Sequence, residues 1–243
     1  MFLDSTYHLP FTTTGGYIQD TKNTIVHVTG ENLVNGTADV GSVWALSGTV
    51  GTIISSSLIP FNLHGQQRQG VGPLSSANYI GVGPSLWPQF TGSWTAAIVF
   101  SFPSQSVVLG GCGAANSGGW YISVYQFCNM QFSSGTTNTA INSDSNLVLS
   151  KDSTNLVVFG FDGTLGWIQS NNGNIYSVTA PITTPAFPIQ LGFYQGGGLS
   201  LNGNVYEFYL STDVPTSASI AAISNQFFSL YSGDGQALTF TRT

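Results

Sequence analysis

Charge is the scarcest property of this sequence. Only 6% of its 243 residues are Asp, Glu, Lys or Arg, against about 25% in ordinary soluble proteins. The four basic residues, Lys22, Arg68, Lys151 and Arg242, are scattered along the chain. Nucleic acid binding takes several phosphate-neutralising cations on one face, so no nucleic acid partner is expected. Long apolar runs are missing too. No window reaches the ~20 apolar residues of a spanning helix, and no membrane insertion is expected. The opening "MFLDSTYHLPF" has neither the basic stretch nor the apolar stretch of a signal peptide. Read as complete from Met1, such a chain would leave a cell by another route, such as release in an assembled particle.

Groups that usually carry catalysis are equally sparse. Glutamate occurs only at Glu31 and Glu207, far apart, and Glu207 has no acidic neighbour in "VYEFYL". Histidine occurs at His8, His27 and His64, none beside a G-x-S-x-G elbow. No phosphate-cradling GxGxxG or GK[ST] element opens a helix, and no cofactor is expected. Cys112 and Cys128 form no CxxC and cannot alone make a structural zinc site. They read either as two buried thiols or as a cross-strand disulfide that requires an oxidising setting.

What fills the chain is Ser, Thr, Asn, Gln and Gly between short β-rich runs. Turn clusters such as "NSGG", "SSGTTN", "NNGN" and "QGGG" punctuate them, with Gly and Asn supplying positive φ. In "NLVVFGFDGTLGWIQSNNG", two apolar strands meet at Asp162-Gly163, where Asp162 shapes the turn. Many strands with turns every ~8–12 residues predict an all-β sandwich. Aromatic residues alternate with polar ones, so one strand face packs a core and the other is wet. One segment departs from this. After Pro215, apolar residues recur at Ile220, Ile223, Phe227 and Leu230 or Tyr231, intervals that place them on one helical face. A single short helix is predicted from 216 to about 229. Residues 1–70 read as an N-terminal extended arm, edge strands and a long loop over residues 55–72. Residues 71–243 read as the sandwich.

The order of elements over residues 75–231 resembles laminin-G-like, concanavalin A-like jelly rolls. "NYIGV" and "SWTAAIVFSF" stand where the opening strands would be, and "GGWYISVYQFCNMQFSSG" stands for the central hairpin. "NLVVFGFDGTLGWIQSNNGNIYSV" resembles the family's strand–Asp-Gly–strand hairpin. "GNVYEFYLSTDVPTSASIAAI" resembles its closing strand and helix. The resemblance implies a two-sheet antiparallel jelly-roll sandwich with one short C-terminal helix. Glycanases on this fold carry paired Glu in an ExDxE-like pattern, which this chain lacks, so no enzyme is expected. Lectins of this kind stack sugars on exposed rings, which nominates Trp87 in "SLWPQF", Trp120 after "NSGG" and Tyr194 before "QGGG". Some bind calcium. Asn142, Asp144 and Asn146 in "NSDSN" loosely resemble a D-x-D-x-D spacing, with two amides in place of carboxylates.

Two functional classes follow. The first is a structural virion protein of bacteriophage type, a capsid decoration or fibre component, on the virion surface. It would be oligomeric, with other virion proteins as partners and surface adhesion added. The alternative is a lectin-like module recognising a host or bacterial surface glycan.

Overall fold

The structure is a computed structural model. It describes residues 23–29, 44–46, 58–63, 66–75, 79–82, 92–103, 107–112, 119–125, 127–134, 137–145, 147–180, 189–194, 199–231 and 241–242. In chain order the elements are β1 (Thr24–Thr29), β2 (Trp44–Leu46), β3 (Leu58–Leu63), β4 (Gln66–Val71), β5 (Ile80–Val82), β6 (Trp94–Ser101), β7 (Val107–Cys112), β8 (Gly119–Val124), β9 (Cys128–Ser134), β10 (Thr137–Asn142), β11 (Leu147–Val148), β12 (Asn155–Phe161), β13 (Leu165–Ser170), β14 (Tyr176–Thr179), β15 (Gln190–Leu191), β16 (Phe193–Tyr194), β17 (Leu199–Ser200), β18 (Asn204–Ser211), helix α1 (Ser217–Tyr231) and β19 (Thr241–Arg242).

Two antiparallel sheets face each other in a jelly-roll sandwich. The first runs β14-β13-β12-β6-β18-β4-β3, with β1 also paired to β18; the second runs β10-β9-β8-β7-β15-β5-β2. The layer between them is dry. Trp94 and Phe159 from the first sheet meet Trp120 from the second, with ring centroids 5.0–5.8 Å apart. Such clusters dominate core energetics, because each ring removes a large apolar area from water. Strands β6 and β12 are buried along their whole length. Trp94, Ala96, Ile98 and Phe100 point into the inter-sheet layer, while Ala97 and Val99 join a second cluster with Ile220, Phe227 and Tyr231 of α1. Burial on both faces is why these strands read as continuous apolar runs rather than alternating ones.

The helix starts where the sequence predicts. Thr216 is its N-cap: its Oγ1 accepts the Ser219 amide at 3.1 Å, and its own amide donates to Ser219 Oγ at 2.8 Å. This is a capping box with Ser in the place of the usual Glu.

Residues 55–72 differ from the sequence reading. They hold the β3–β4 hairpin rather than a long loop, registered from Leu58↔Val71 to Leu63↔Gln66. Phe61 drives this, packing its ring 4.9 Å from Tyr206 and 6.2 Å from Tyr231. The boundary expected after residue 70 falls inside β4, and β1, β3 and β4 all belong to the first sheet.

Strand β18 carries a bulge between Val205 and Glu207. The extra residue lets Tyr206 and Glu207 both face the helix side, while Val205 and Phe208 stay in the inter-sheet core. Glu207 is fully buried. His27 Nε2 of β1 lies 2.7 Å from its Oε1, and the Tyr231 hydroxyl donates to its Oε2 at 2.7 Å. One carboxyl group therefore ties β1, β18 and α1 together.

The Asp162-Gly163 turn closes β12 onto β13. Gly163 has φ +99°, a region open to glycine. Asp162 Oδ1 accepts the amides of Thr164 at 2.8 Å and Leu165 at 2.7 Å, and Oδ2 accepts Trp167 Nε1 at 3.0 Å. Desolvation pushes this carboxyl pKa up, but the donors from Leu165, Trp167 and Thr164 outweigh it and leave the pKa below its ordinary value.

The cysteines do not pair. Cys128 is buried and free, and burial pushes its thiol pKa far up. Cys112 stands opposite Trp120, which stands opposite Phe132 of β9. That register puts Cys128 two strands across and four residues farther along β9, ~16 Å from Cys112, beyond the reach of a disulfide.

Two outcomes test this architecture. Glu207→Ala is expected to cost about 3–5 kcal/mol, because it leaves buried partners unpaired; Glu207→Gln, which keeps an acceptor and the volume, should cost less. Urea unfolding measures both, and a loss under ~1 kcal/mol for Glu207→Ala would remove the node from its structural role. Asp162→Ala should cost about 1–2 kcal/mol at neutral pH. A lowered folded pKa adds stability that is present above the unfolded value of about 3.9 and is lost as pH falls through the lower folded value. Acid titration of stability should therefore flatten in Asp162→Asn, and an unchanged acid limb would contradict the assignment.

Candidate functional site

Parity along β8 and β9 separates two surfaces. Trp120, Ile122 and Val124 point inward, as do Cys128, Met130 and Phe132. The alternate residues, Tyr121 and Ser123 on β8 and Asn129 and Gln131 on β9, face outward and are half-buried. Register lines them up in two rows across three strands, Tyr121–Gln131–Ala140 and Ser123–Asn129–Asn142. Tyr125, 54% exposed, lies in the turn beyond Ser123, where its amide donates to Phe127 O at 3.1 Å.

The side chains of this face bond to one another. Gln131 Nε2 donates to Asn129 Oδ1 at 3.3 Å, and Asn129 Nδ2 donates to Asn142 Oδ1 at 2.6 Å. Gln131 also bonds the Tyr121 phenol. Desolvation raises the Tyr121 pKa and the Gln131 bond partly offsets this, so the phenol is neutral at ordinary pH. Gly111 makes room beside the ring, since a Cβ there would sit 2.6 Å from the Tyr121 Cβ. The face is bounded on the β7 side, where Val108, Gly111 and Gln190 are buried, and open on the β10 side, where Asn138, Ala140 and Asn142 are exposed. No Asp, Glu, Lys, Arg or His occurs on β7, β8, β9 or β10.

The arrangement is a rigid array of amides and hydroxyls with a tyrosine ring at its centre and another at its rim. Gln131 spends its two amide hydrogens on Asn129 and Tyr121, Asn129 uses one and keeps a second, and the carbonyl oxygens keep spare lone pairs. Such a face can exchange hydrogen bonds with hydroxyl groups and lay an apolar surface against a ring.

The described residues among those nominated from sequence do not come together. Trp120 is a correction: at 3% exposure it packs between Trp94 and Phe159 and shows no face to solvent. Its parity with Ile122 and Val124 puts it inside, despite the Gly-rich segment before it. Trp87 and Asn146 lie outside the described residues, as do His8 and His64. Tyr194 closes β16, and its side chain lies outside the described residues. Asn142 and Asp144 do not converge as a cation site would require. Asn142 belongs to the outer face, whereas Asp144 is buried and accepts Asn174 Nδ2 at 2.7 Å. The outer face lies on strands rather than in the aromatic-bearing loops that the sequence nominates. The signal is the alternation within each strand: Tyr121 and Ser123 between Trp120, Ile122 and Val124, and Asn129 and Gln131 between Cys128, Met130 and Phe132.

No known protein family matches the chain, and no curated protein matches it in sequence. Solved structures do match. The binding domain of Paraclostridial Mosquitocidal Protein 1 superposes with TM-score 0.62 at 10% identity, over 85% of this chain and 52% of that one. Domain 4 of AbnA, a GH43 extracellular arabinanase from Geobacillus stearothermophilus, solved with arabinotriose, gives 0.58 at 12% identity over 83% and 98%. The binding domain of botulinum neurotoxin DC, solved in complex with SialylT, gives 0.56 at 12% over 84% and 51%. The chain thus spans about half the length of these toxin binding domains. At such identities the likeness is one of fold, the concanavalin A-like jelly-roll sandwich.

The Tyr121 phenol gives this geometry a direct readout. Its titration, followed by the Cζ resonance, should lie above the ordinary tyrosine value of about 10. Gln131→Leu should raise it further by removing the bond that lowers it. The raised pKa favours the neutral native phenol, so the stability it contributes is intact below about pH 10 and lost at higher pH. An ordinary tyrosine titration would place the ring in open solvent.

Proposed function

We propose that the chain is a non-enzymatic carbohydrate-binding module that recognises a surface glycan through the Tyr121–Gln131–Asn129–Asn142 face. The observation that carries this reading is the interlinked, uncharged amide and hydroxyl array on the open face of a sheet whose other face is core. Ligand sites pair apolar or aromatic surface with a few placed polar groups, and sugars present both kinds of surface. The solved neighbours support it by analogy, since one was solved with arabinotriose and another with SialylT. Glu207, the one glutamate among the described residues, is fully buried beneath α1 and cannot reach a ligand on the opposite sheet.

The virion reading becomes the alternative. Low charge and dense polar loops are what favour a capsid decoration or fibre component, whereas the neighbours are toxin binding domains and a glycanase domain. Imaging of the native assembly that contains the chain tests that setting.

Binding itself is tested by screening the protein on a glycan array and titrating a hit by calorimetry. Tyr121→Ala and Asn129→Ala should each weaken binding by about tenfold, near 1.4 kcal/mol, with the melting transition retained. Trp87→Ala and Tyr194→Ala belong in the same series. Full affinity in the Tyr121 and Asn129 variants, with loss in Trp87→Ala, would move the site to the loop that precedes β6.

A further inference from the structure

We infer that the ligand is the terminal unit of a neutral glycan, and that this face rejects acidic sugars. The inference rests on the binding reading above and adds the ligand's chemistry and approach.

Charge comes first. An acidic sugar brings a carboxylate, and burying one without a cation is strongly unfavourable. None of the described basic residues lies on β7–β10. Arg68 is on β4 in the other sheet, Lys151 is in the turn before β12, and Arg242 is on β19, paired with β11. The net charge of −6 adds a repulsive background. Hydrogen-bond roles agree. A sugar hydroxyl both donates and accepts, matching the spare amide hydrogens of Asn129 and Asn142 and the carbonyl oxygens of Asn129, Gln131 and Asn142. A carboxylate only accepts, so the Oδ and Oε atoms of the same amides would oppose it.

Dimensions set the length of what is held. Two strand spacings across and two residues along give a patch of about 10 by 7 Å, the footprint of one or two sugar rings. Burial of Val108, Gly111 and Gln190 closes the β7 side, and exposure of Asn138, Ala140 and Asn142 opens the β10 side. A glycan therefore enters by its end, over β10, with its last ring against Tyr121.

The test titrates the full chain with arabinotriose and with a galactose-terminated oligosaccharide, with and without a terminal sialic acid. Neutral members of the panel should bind with an affinity that added salt leaves unchanged. The sialylated form should bind at least about tenfold more weakly. Asn142→Lys, at the exposed entrance, should narrow that gap by improving binding of the sialylated form, while its melting transition confirms the fold. Equal or tighter binding of the sialylated form by the unaltered protein would overturn the inference and leave the binding module standing. No binding to any glycan across the panel and a wider array would overturn both.

Discussion

Everything in this molecule rests on one dry layer between two sheets. Trp94, Trp120 and Phe159 fill its centre, and the strands that carry them are placed by the need to bury those rings. The two outer surfaces are then treated differently. The first sheet is roofed by α1, so its central strands are apolar on both sides. Across β8 to β10 the second sheet has no helical roof among the described residues, and its outward positions are Tyr, Ser, Asn and Gln, with Ala140 alone apolar. The candidate site is a consequence of that asymmetry.

Scarcity of charge shapes both ends of the polarity scale. Inside, a single buried carboxyl group can join three elements because its acceptors are met by His27 and Tyr231; unmet, it would be a heavy liability. Outside, amides and hydroxyls replace ions. Their hydrogen bonds are directional but carry little long-range field, so recognition on such a face depends on contact geometry rather than on electrostatic steering. The β8–β10 array holds that geometry by bonding to itself and by standing on strands rather than loops.

Local chemistry was legible in the sequence wherever it was strong. Asp162-Gly163 marked its hairpin, the spacing from Ile220 to Tyr231 marked the helix, and Thr216 marked its start. Alternation marked two-faced strands, and Trp120 shares the parity of buried Ile122 although a Gly-rich segment precedes it. In residues 55–72, Pro60, Gly65 and Gly70 break the strand pattern, while the hairpin's packing partners, Tyr206 and Tyr231, lie far along the chain, so no local signal reveals it. The Glu207 node was out of reach for two reasons: a bulge alters the parity of β18, and its histidine lies 180 residues away. The outer face fell between these cases. Its residues could be picked out by parity, but their alignment into rows is set by pairing register, which no single strand encodes.

The pairing of β1 with β18 also constrains how the protein is made. A ribosome releases β1 some 180 residues before its partner β18, roughly ten to forty seconds at about 5–20 residues per second. Through that interval Thr24–Thr29 is an unmatched strand on a nascent chain, open to pairing with a neighbour from the same polysome. Correct closure thus waits until β18 has emerged, and until then the earlier strand has to be kept from pairing elsewhere.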